Sequence, residues 1–296
     1  MHKNPNIVIV GHVCIDENTI NGVEQPQKWG SGALFMANYS STHFGAKPTV
    51  ITSYGPDFEA VRPGGVSIKP DEPNDVVTLR YENIVSGDER LQYCHEYDRI
   101  SVPKIGKLAL AAADILIVTT LTPDYRPKYI EKVLKHTSPS ALKVLCPQGY
   151  FREFSDDGRV LPRAFDEAPA IVPRFDLVFL SDQDPPPHNP AKLVQHWARQ
   201  AENTHIVMTH ARDGASIALP HKLLNIPTEK PIANKDVVDS VGAGDTFAMA
   251  ALMDYYKNRD IVHAVKSGHQ AAHDKLLAVP FNPALLKLPI KTPLAT

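Results

Sequence analysis

Residues 237–247 read VVDSVGAGDTF: an apolar start, two glycines around an alanine, then an acid directly after the second glycine. Gly242 and Gly244 permit a backbone path that is closed to other residues. The apolar pattern of GDTFAMAALMDYYKN predicts a helix beginning near Gly244. Its first N–H groups would lack intrahelical partners and would face outward with the positive end of the helix dipole. Such a helix start is an anion hole suited to a phosphoryl group. Asp245, in the first turn, is placed to take a proton from a hydroxyl attacking that phosphoryl. The plain alternative is a glycine turn followed by an N-terminal acid, and local physics alone does not separate the two. The dipole also predicts a lowered pKa for Asp245 and hence a weak base. Phosphoryl transfer tolerates this, because its loose transition state delays deprotonation.

Outward from this motif the chain alternates buried strands with helical stretches. NIVIVGHVCID opens with an unbroken apolar run, the mark of a strand covered on both faces in a parallel sheet. GSGALFMANYSSTHFGA predicts a helix stopped at Gly45, and KPTVITSYG a second strand. ADILIVTTL (113–121), ALKVLCP (141–147), FDLVFLS (175–181) and THIVMTH (204–210) continue the series. PAKLVQHWARQAE and the span from 244 to about 277 read as helices. Residues 66–101 differ: DVVTLRYENI and ERLQYCHEYDRI alternate apolar and polar residues around VSGD, a hairpin signature. The tail VPFNPALLKLPIKTPLAT reads as peripheral. The whole is predicted to be a single doubly wound α/β domain over 1–296 with one β excursion. In such sheets ligands bind beyond the carboxyl ends of the strands.

Composition sets outer bounds. Of 296 residues, 43% are hydrophobic and the net charge is −2, so no global basic field exists to hold a nucleic acid. No run approaches the roughly 18 apolar residues of a membrane span. Three widely spaced cysteines, Cys14, Cys94 and Cys146, suit a reducing compartment and predict a cytoplasmic protein. Two rival nucleotide motifs fail. A dinucleotide fingerprint would want glycine where Phe247 stands, and no GxxxxGK[ST] loop occurs. HQAAH (269–273) has zinc-ligand spacing, but Gln270 stands where a zinc protease needs Glu. Trp29 is a candidate either for stacking on substrate or for the core.

DVVDSVGAGDTF closely resembles the C-terminal signature of the ribokinase-like (PfkB) carbohydrate kinases, D-T-x-G-A-G-D, with Ser240 in place of Thr. VIVGHVCID resembles the family's opening strand, GSGALFMANYSSTHFGAKPTVITSYGPDF its N-terminal signature, and IVMTHARDGA its V-T-x-G-x-x-G segment beside ATP. VGHVCID and VFLSDQD look closer to a divergent subgroup that includes plant-type myo-inositol kinases.

The resemblance implies a ribokinase-like sheet flanked by helices, with a small β lid from about 16–30 and 66–101. It implies an ATP-dependent, magnesium-assisted kinase acting on a hydroxyl of a small sugar or polyol. Nucleoside kinase and inactive binding protein stay open as alternatives, and the protein would be a monomer or homodimer without nucleic-acid or membrane partners. By position, Asp245 would be the base, with Gly242, Ala243 and Gly244 forming the anion hole. Asp16, Gly32 and Arg152 of CPQGYFR would hold substrate. Thr209, Gly214, Ser181, Gly244 and His273 would border the nucleotide, and Asp184 would reach magnesium through water. The sequence departs from the pattern at Ala211, which replaces a glycine, and at Ser181-Asp182-Gln183-Asp184, which replaces N-x-x-E. Cys146 stands where Asp is commoner, and Asn38 is out of register with the family's sugar-contacting Asn.

Overall fold

The computed structural model describes residues 4–86, 89–97, 101–186, 189–233 and 236–277. The tail read as peripheral lies outside them. In chain order, β1 (Ile7–Gly11) is followed by β2 (Cys14–Ile20), β3 (Val23–Glu24) and β4 (Lys28–Gly30). Helix α1 (Gly32–Phe44) leads to β5 (Thr49–Ile51), β6 (Ser67–Lys69), β7 (Leu79–Ser86) and β8 (Glu89–His95). Then come α2 (Lys107–Ala111), β9 (Ile115–Thr119), α3 (Pro127–His136), β10 (Leu142–Cys146), β11 (Arg152–Phe154) and β12 (Val160–Pro162). The rest is α4 (Ala168–Ile171), β13 (Leu177–Ser181), α5 (Pro190–Gln200), β14 (His205–Thr209), β15 (Ala215–Ala218), β16 (Leu223–Ile226), α6 (Ala243–Asn258) and α7 (Ile261–Leu277).

The main sheet runs β16-β15-β14-β13-β10-β9-β1-β5-β6. Its strands from β14 to β6 pair in parallel, and β15 and β16 close one edge antiparallel. The apolar runs are continuous because both faces are covered. Ile7 and Ile9 point into one core with residues of α1, α6 and α7, while Val8 and Val10 point into the other with α3 and α5. From β1 the chain builds outward to β5 and β6, then restarts at β9 and builds the other way. The topological switch point is therefore between β1 and β9, where a doubly wound sheet opens its ligand crevice.

A smaller sheet, β3-β2-β7-β8 with β4 on β2, meets the loop leaving β9, where Tyr81 Oη donates to the Leu121 carbonyl at 2.7 Å. The hairpin read from the alternating pattern is present, with Arg80 opposite His95 and Ile84 opposite Leu91. Two boundaries differ from the sequence reading. Ser67–Lys69 extends the main sheet beside β5 rather than joining the hairpin, because a lone buried Ile68 between two exposed residues fits the edge of a twisted parallel sheet. The opening run also divides: β1 ends at Gly11, and Asp16 is the third residue of β2 in the smaller sheet. Trp29 is core, 2% exposed with its ring 5.2 Å from that of Phe35, so it has no face for stacking on substrate.

His12 sits at the division. Leu121 N–H donates to its Nδ1 at 3.1 Å, so Nε2 carries the proton and donates to Thr122 Oγ1 at 3.1 Å. The ring also lies 4.4 Å from that of Tyr125. Burial, and then the charge of Arg152, hold its pKa down to about 3. This neutral imidazole ties the end of β1 to the loop leaving β9, across the switch point.

His12→Ala would leave Leu121 N–H and Thr122 Oγ1 unpaired beside a cavity. We expect a loss of about 3 kcal/mol by denaturant titration near pH 7. The unfolded chain takes up this proton below about pH 6.5 and the folded chain only near 3, so in the wild type stability falls as pH drops through that window. That part of the slope should vanish in the variant.

Candidate active site

Two carboxylates press against two glycines at the switch point. A Cβ on Gly30 would come within 2.3 Å of Asp16 Oδ2. One on Gly32 would come within 2.6 Å of Asp245 Oδ1 and 2.8 Å of Thr119 Oγ1. The end of β4, the start of α1, the end of β9 and the start of α6 therefore converge within one side chain's width. Ser31, the N-cap of α1, accepts from Leu34 N–H at 3.3 Å, which fixes the turn between the two glycines.

Helix α6 starts after Gly242, whose φ of 77° is left-handed and whose absent Cβ leaves room for the Phe35 ring. Ala243 N–H donates to the Ser240 carbonyl at 3.2 Å. Of the three residues expected to form the anion hole, Ala243 is thus committed to the turn, while the N–H groups of Gly242, Gly244 and the adjoining Asp245 meet no backbone acceptor among the described residues. Gly244 is exposed, with no atom within 4 Å of where its Cβ would stand.

The electrostatics reverse the dipole expectation. Asp245 is half-buried at the floor of the crevice, and its pKa is pushed up to about 7. Loss of hydration is the larger cause, the negative charge of Asp184 adds to it, and Arg152 opposes both. Asp184 is itself pushed up by burial, against the Ser181 N–H at 2.8 Å, Arg152 and Gln148 Nε2 at 3.4 Å. Cys146 lies beneath the pair, and its thiol is raised first by burial and then by the charges of Asp245 and Asp184. It stays neutral where an acid would add a third negative charge. Arg152 faces this group from β11: its guanidinium carbon is 5.0 Å from the centre of the Tyr81 ring, and Nη1 is 3.4 Å from the Leu121 carbonyl. Asp16 is 8% exposed and accepts from the Cys14 thiol at 3.3 Å. None of His12, Cys14, Cys146 and Gln148 was singled out for these contacts by sequence, although VGHVCID and CPQGYFR, which contain them, both entered the resemblance.

The residues expected beside nucleotide sit at the ends of β13 and β14, just before β15, and on α7. Thr209 Oγ1 is 3.4 Å from the Leu180 carbonyl. Gly214 has a φ of 110° and its Cβ would strike the Ile226 carbonyl at 2.3 Å, so glycine is obligatory. Ala211 holds a left-handed φ of 47°, where the family's glycine would be unstrained. His210 bridges Asp182 Oδ2 at 2.9 Å and Ser216 Oγ at 2.6 Å, bracing this loop. Farther along, a cavity of about 230 Å³ lies between 228–230 and α7, and Lys230, Lys266, His269 and His273 line it. Both ring nitrogens of His269 are buried without a hydrogen-bond partner among the described residues. Among the described residues no three His, Cys, Asp or Glu side chains gather at metal-binding distance, and no helix is long and apolar enough to cross a membrane.

The family model of the pfkB family carbohydrate kinases matches residues 96–275, well over half of the chain. The chain belongs to this family. No curated protein matches it significantly in sequence. Solved structures of the ribokinase family share its fold. A pyrophosphate-dependent kinase of that family, complexed with a pyrophosphate analog and myo-inositol, superposes with a TM-score of 0.71 at 18% identity over 95% of this chain and 99% of the other. Ribokinase from Thermotoga maritima gives 0.67 at 14% identity over 93% and 94%. Arabidopsis thaliana ribokinase, complexed with ribose and ATP, gives 0.66 at 14% identity over 97% and 100%. Ribokinase-family enzymes are kinases, and the fold of this pfkB member is theirs.

Two substitutions test the packing of this pfkB site. Gly30→Ala should displace Asp16 and Gly32→Ala should displace Asp245, each with a midpoint shift of only a few degrees in thermal unfolding but a loss of ligand response. Asp245→Asn should stabilise the apo protein at pH 8 by about 1–2 kcal/mol, discounted for the group's partial exposure. The unfolded carboxyl ionises near 3.9 and the folded one near 7, so the wild type loses stability as pH rises through that window. The gain in the variant should therefore disappear near pH 4.

Proposed function

We propose that this protein transfers the γ-phosphoryl group of ATP to a hydroxyl of a small sugar or polyol. The observation that carries the reading is the placement of Asp245 beside the open N–H groups of α6, a side chain's width from Gly32 and the Asp16 strand. Asp16, already bonded to Cys14, would accept from acceptor hydroxyls and set the orientation of the reacting one. Asp245 would accept that hydroxyl's proton as its oxygen attacks phosphorus. A carboxylate raised toward neutrality is a stronger base than an ordinary aspartate and is still largely ionised above pH 7. The Gly244 and Asp245 N–H groups and the helix dipole would stabilise charge on the transferred phosphoryl. Arg152 would balance the two acids and hold a further acceptor oxygen. The smaller sheet would act as a lid that excludes water and so suppresses hydrolysis of the donor.

Asp184 and Asp245 are both raised by desolvation, and Arg152 is the one positive charge that opposes both, which is a charge balance that fits a divalent cation nearby. Asp184 would hold magnesium through water, and the ion would neutralise the donor phosphates.

A second donor has an observation in its favour. The cavity along α7 is lined among the described residues by Thr228, Glu229, Lys230, Lys266, Ser267, His269, Gln270 and His273, none of them an aliphatic residue that would sandwich a purine. Inorganic pyrophosphate, the donor named for one structural neighbour, needs no such surface.

Single-turnover assays with labelled ATP or labelled pyrophosphate, against panels of sugars, polyols and nucleosides, separate these readings. Transfer from one donor to a sugar or polyol is expected. Asp245→Asn should lower its rate by about 10²–10⁴-fold while donor binding persists. Near-normal turnover in that variant would remove Asp245 as the base, and donor binding without transfer to any acceptor would overturn the kinase reading.

A further inference from the structure

A second cavity, of about 490 Å³, opens on the far side of Arg152 and is lined by Pro123, Arg126, Arg163 and Ala164 as well as Arg152 itself. Its size falls within the range of small-molecule sites. Three arginines line this one cavity, and two of them share a carboxylate. Arg126 Nη1 is 2.6 Å from Glu167 Oε1, and Arg163 Nη2 is 3.1 Å from Glu167 Oε2. One carboxylate thus serves two arginines. Despite burial, a bond to its own backbone N–H and then the two guanidiniums hold Glu167 below the usual glutamate value, so it is ionised. The Arg126–Glu167–Arg163 cluster by itself thus keeps one net positive charge. Arg163 is pinned further by Nε on the Ala164 carbonyl at 3.2 Å.

The hydrogen bonds described use Nη1 of Arg126 and Nη2 and Nε of Arg163. The other N–H groups of both forks are open to a ligand. Because Glu167 already fixes the forks, an anion would meet preorganised donors and lose little affinity to side-chain ordering. Stapling of the loop to α3 would by itself need only one arginine, and Arg126 remains 59% exposed in its pair. Phe154, Glu153 and Asp166 complete the lining, and the two carboxylates are exposed and, with Glu167, balance the three guanidiniums, so open N–H donors rather than net charge would hold an anion. Carboxylates there repel polyanions and accept from hydroxyls, which favours a small polyhydroxylated molecule with a single anionic group.

We propose that this cavity binds a sugar phosphate or sugar acid, with Arg126 and Arg163 gripping the anionic group and Arg152 forming the wall shared with the candidate active site. The shared wall makes the site a control point for the reaction proposed above, since an anion that draws on Arg152 withdraws its charge from Asp184 and Asp245. That control rests on the kinase reading, whereas binding itself does not.

Calorimetric titration with inorganic phosphate, glucose 6-phosphate and gluconate, at constant ionic strength, tests it without turnover. Glucose 6-phosphate or gluconate should bind more tightly than phosphate, and whichever of the two is tighter identifies the anionic group. Arg126→Gln and Arg163→Gln should each weaken binding by about tenfold. Arg126 is exposed, so its variant keeps the result readable if Arg163→Gln fails to fold. Binding that survives Arg126→Gln would place the anion at α6 and overturn the proposal, as would a lack of binding by all three probes. In single-turnover assays the tighter probe should slow transfer in the wild type but not in Arg126→Gln. Binding with no effect on transfer would overturn the link through Arg152.

Discussion

The start of α6 and the start of α1 meet so closely that no side chain fits between them, and most of the site follows from that approach. Asp245 rests against Gly32 and Asp16 against Gly30, each at a distance no Cβ would tolerate. The sheet supplies the reason these segments meet. Reversal of strand order at β1 and β9 opens a crevice there, and α1 and α6 pack side by side on one face with their N-termini toward it. Gly242 lets α6 begin without striking Phe35, and His12 ties the two strand ends together beneath the crevice. Backbone donors and carboxylates are thus held by rigid elements, which is what positions charge for catalysis without later reorganisation.

Electrostatics then separates Asp245 from an ordinary helix cap. A cap carboxylate in water gains from the helix dipole and titrates low. Asp245 has the same dipole but has lost its water and faces Asp184, and these outweigh the dipole. The cost of keeping two such acids together is tolerated because Arg152 opposes them and Cys146, uncharged, adds nothing. An arrangement that destabilises its own charged state is expected where function rather than stability sets the residues.

Much of this was legible in the sequence, for identifiable reasons. Strands buried on both faces leave continuous apolar runs, so β1, β9, β10, β13 and β14 announced themselves, and the alternation of the β7–β8 hairpin did likewise. The glycine pattern before α6 was legible because a left-handed turn before a helix admits few residues. Other features left no local trace. The division of the opening run at His12 depends on which sheet each half joins, and VGHVCID is apolar on either account. Ser67–Lys69 is too short for periodicity to assign. The upward shift of Asp245 arises from Asp184, some sixty residues earlier, and the pairing of Arg126 and Arg163 through Glu167 likewise needs the fold to bring them together.

The central claim is that Asp245 is a carboxyl tuned by burial and by Asp184 rather than a solvated cap. Carbon NMR of protein labelled at aspartate carboxyls, with the Asp245 resonance identified by its loss in Asp245→Asn, reads this directly. The account predicts a titration midpoint at about 7 in the wild type, falling when Asp184→Asn removes the neighbouring charge. A midpoint near the ordinary aspartate value of about 3.9, or one that Asp184→Asn leaves unchanged, would contradict it.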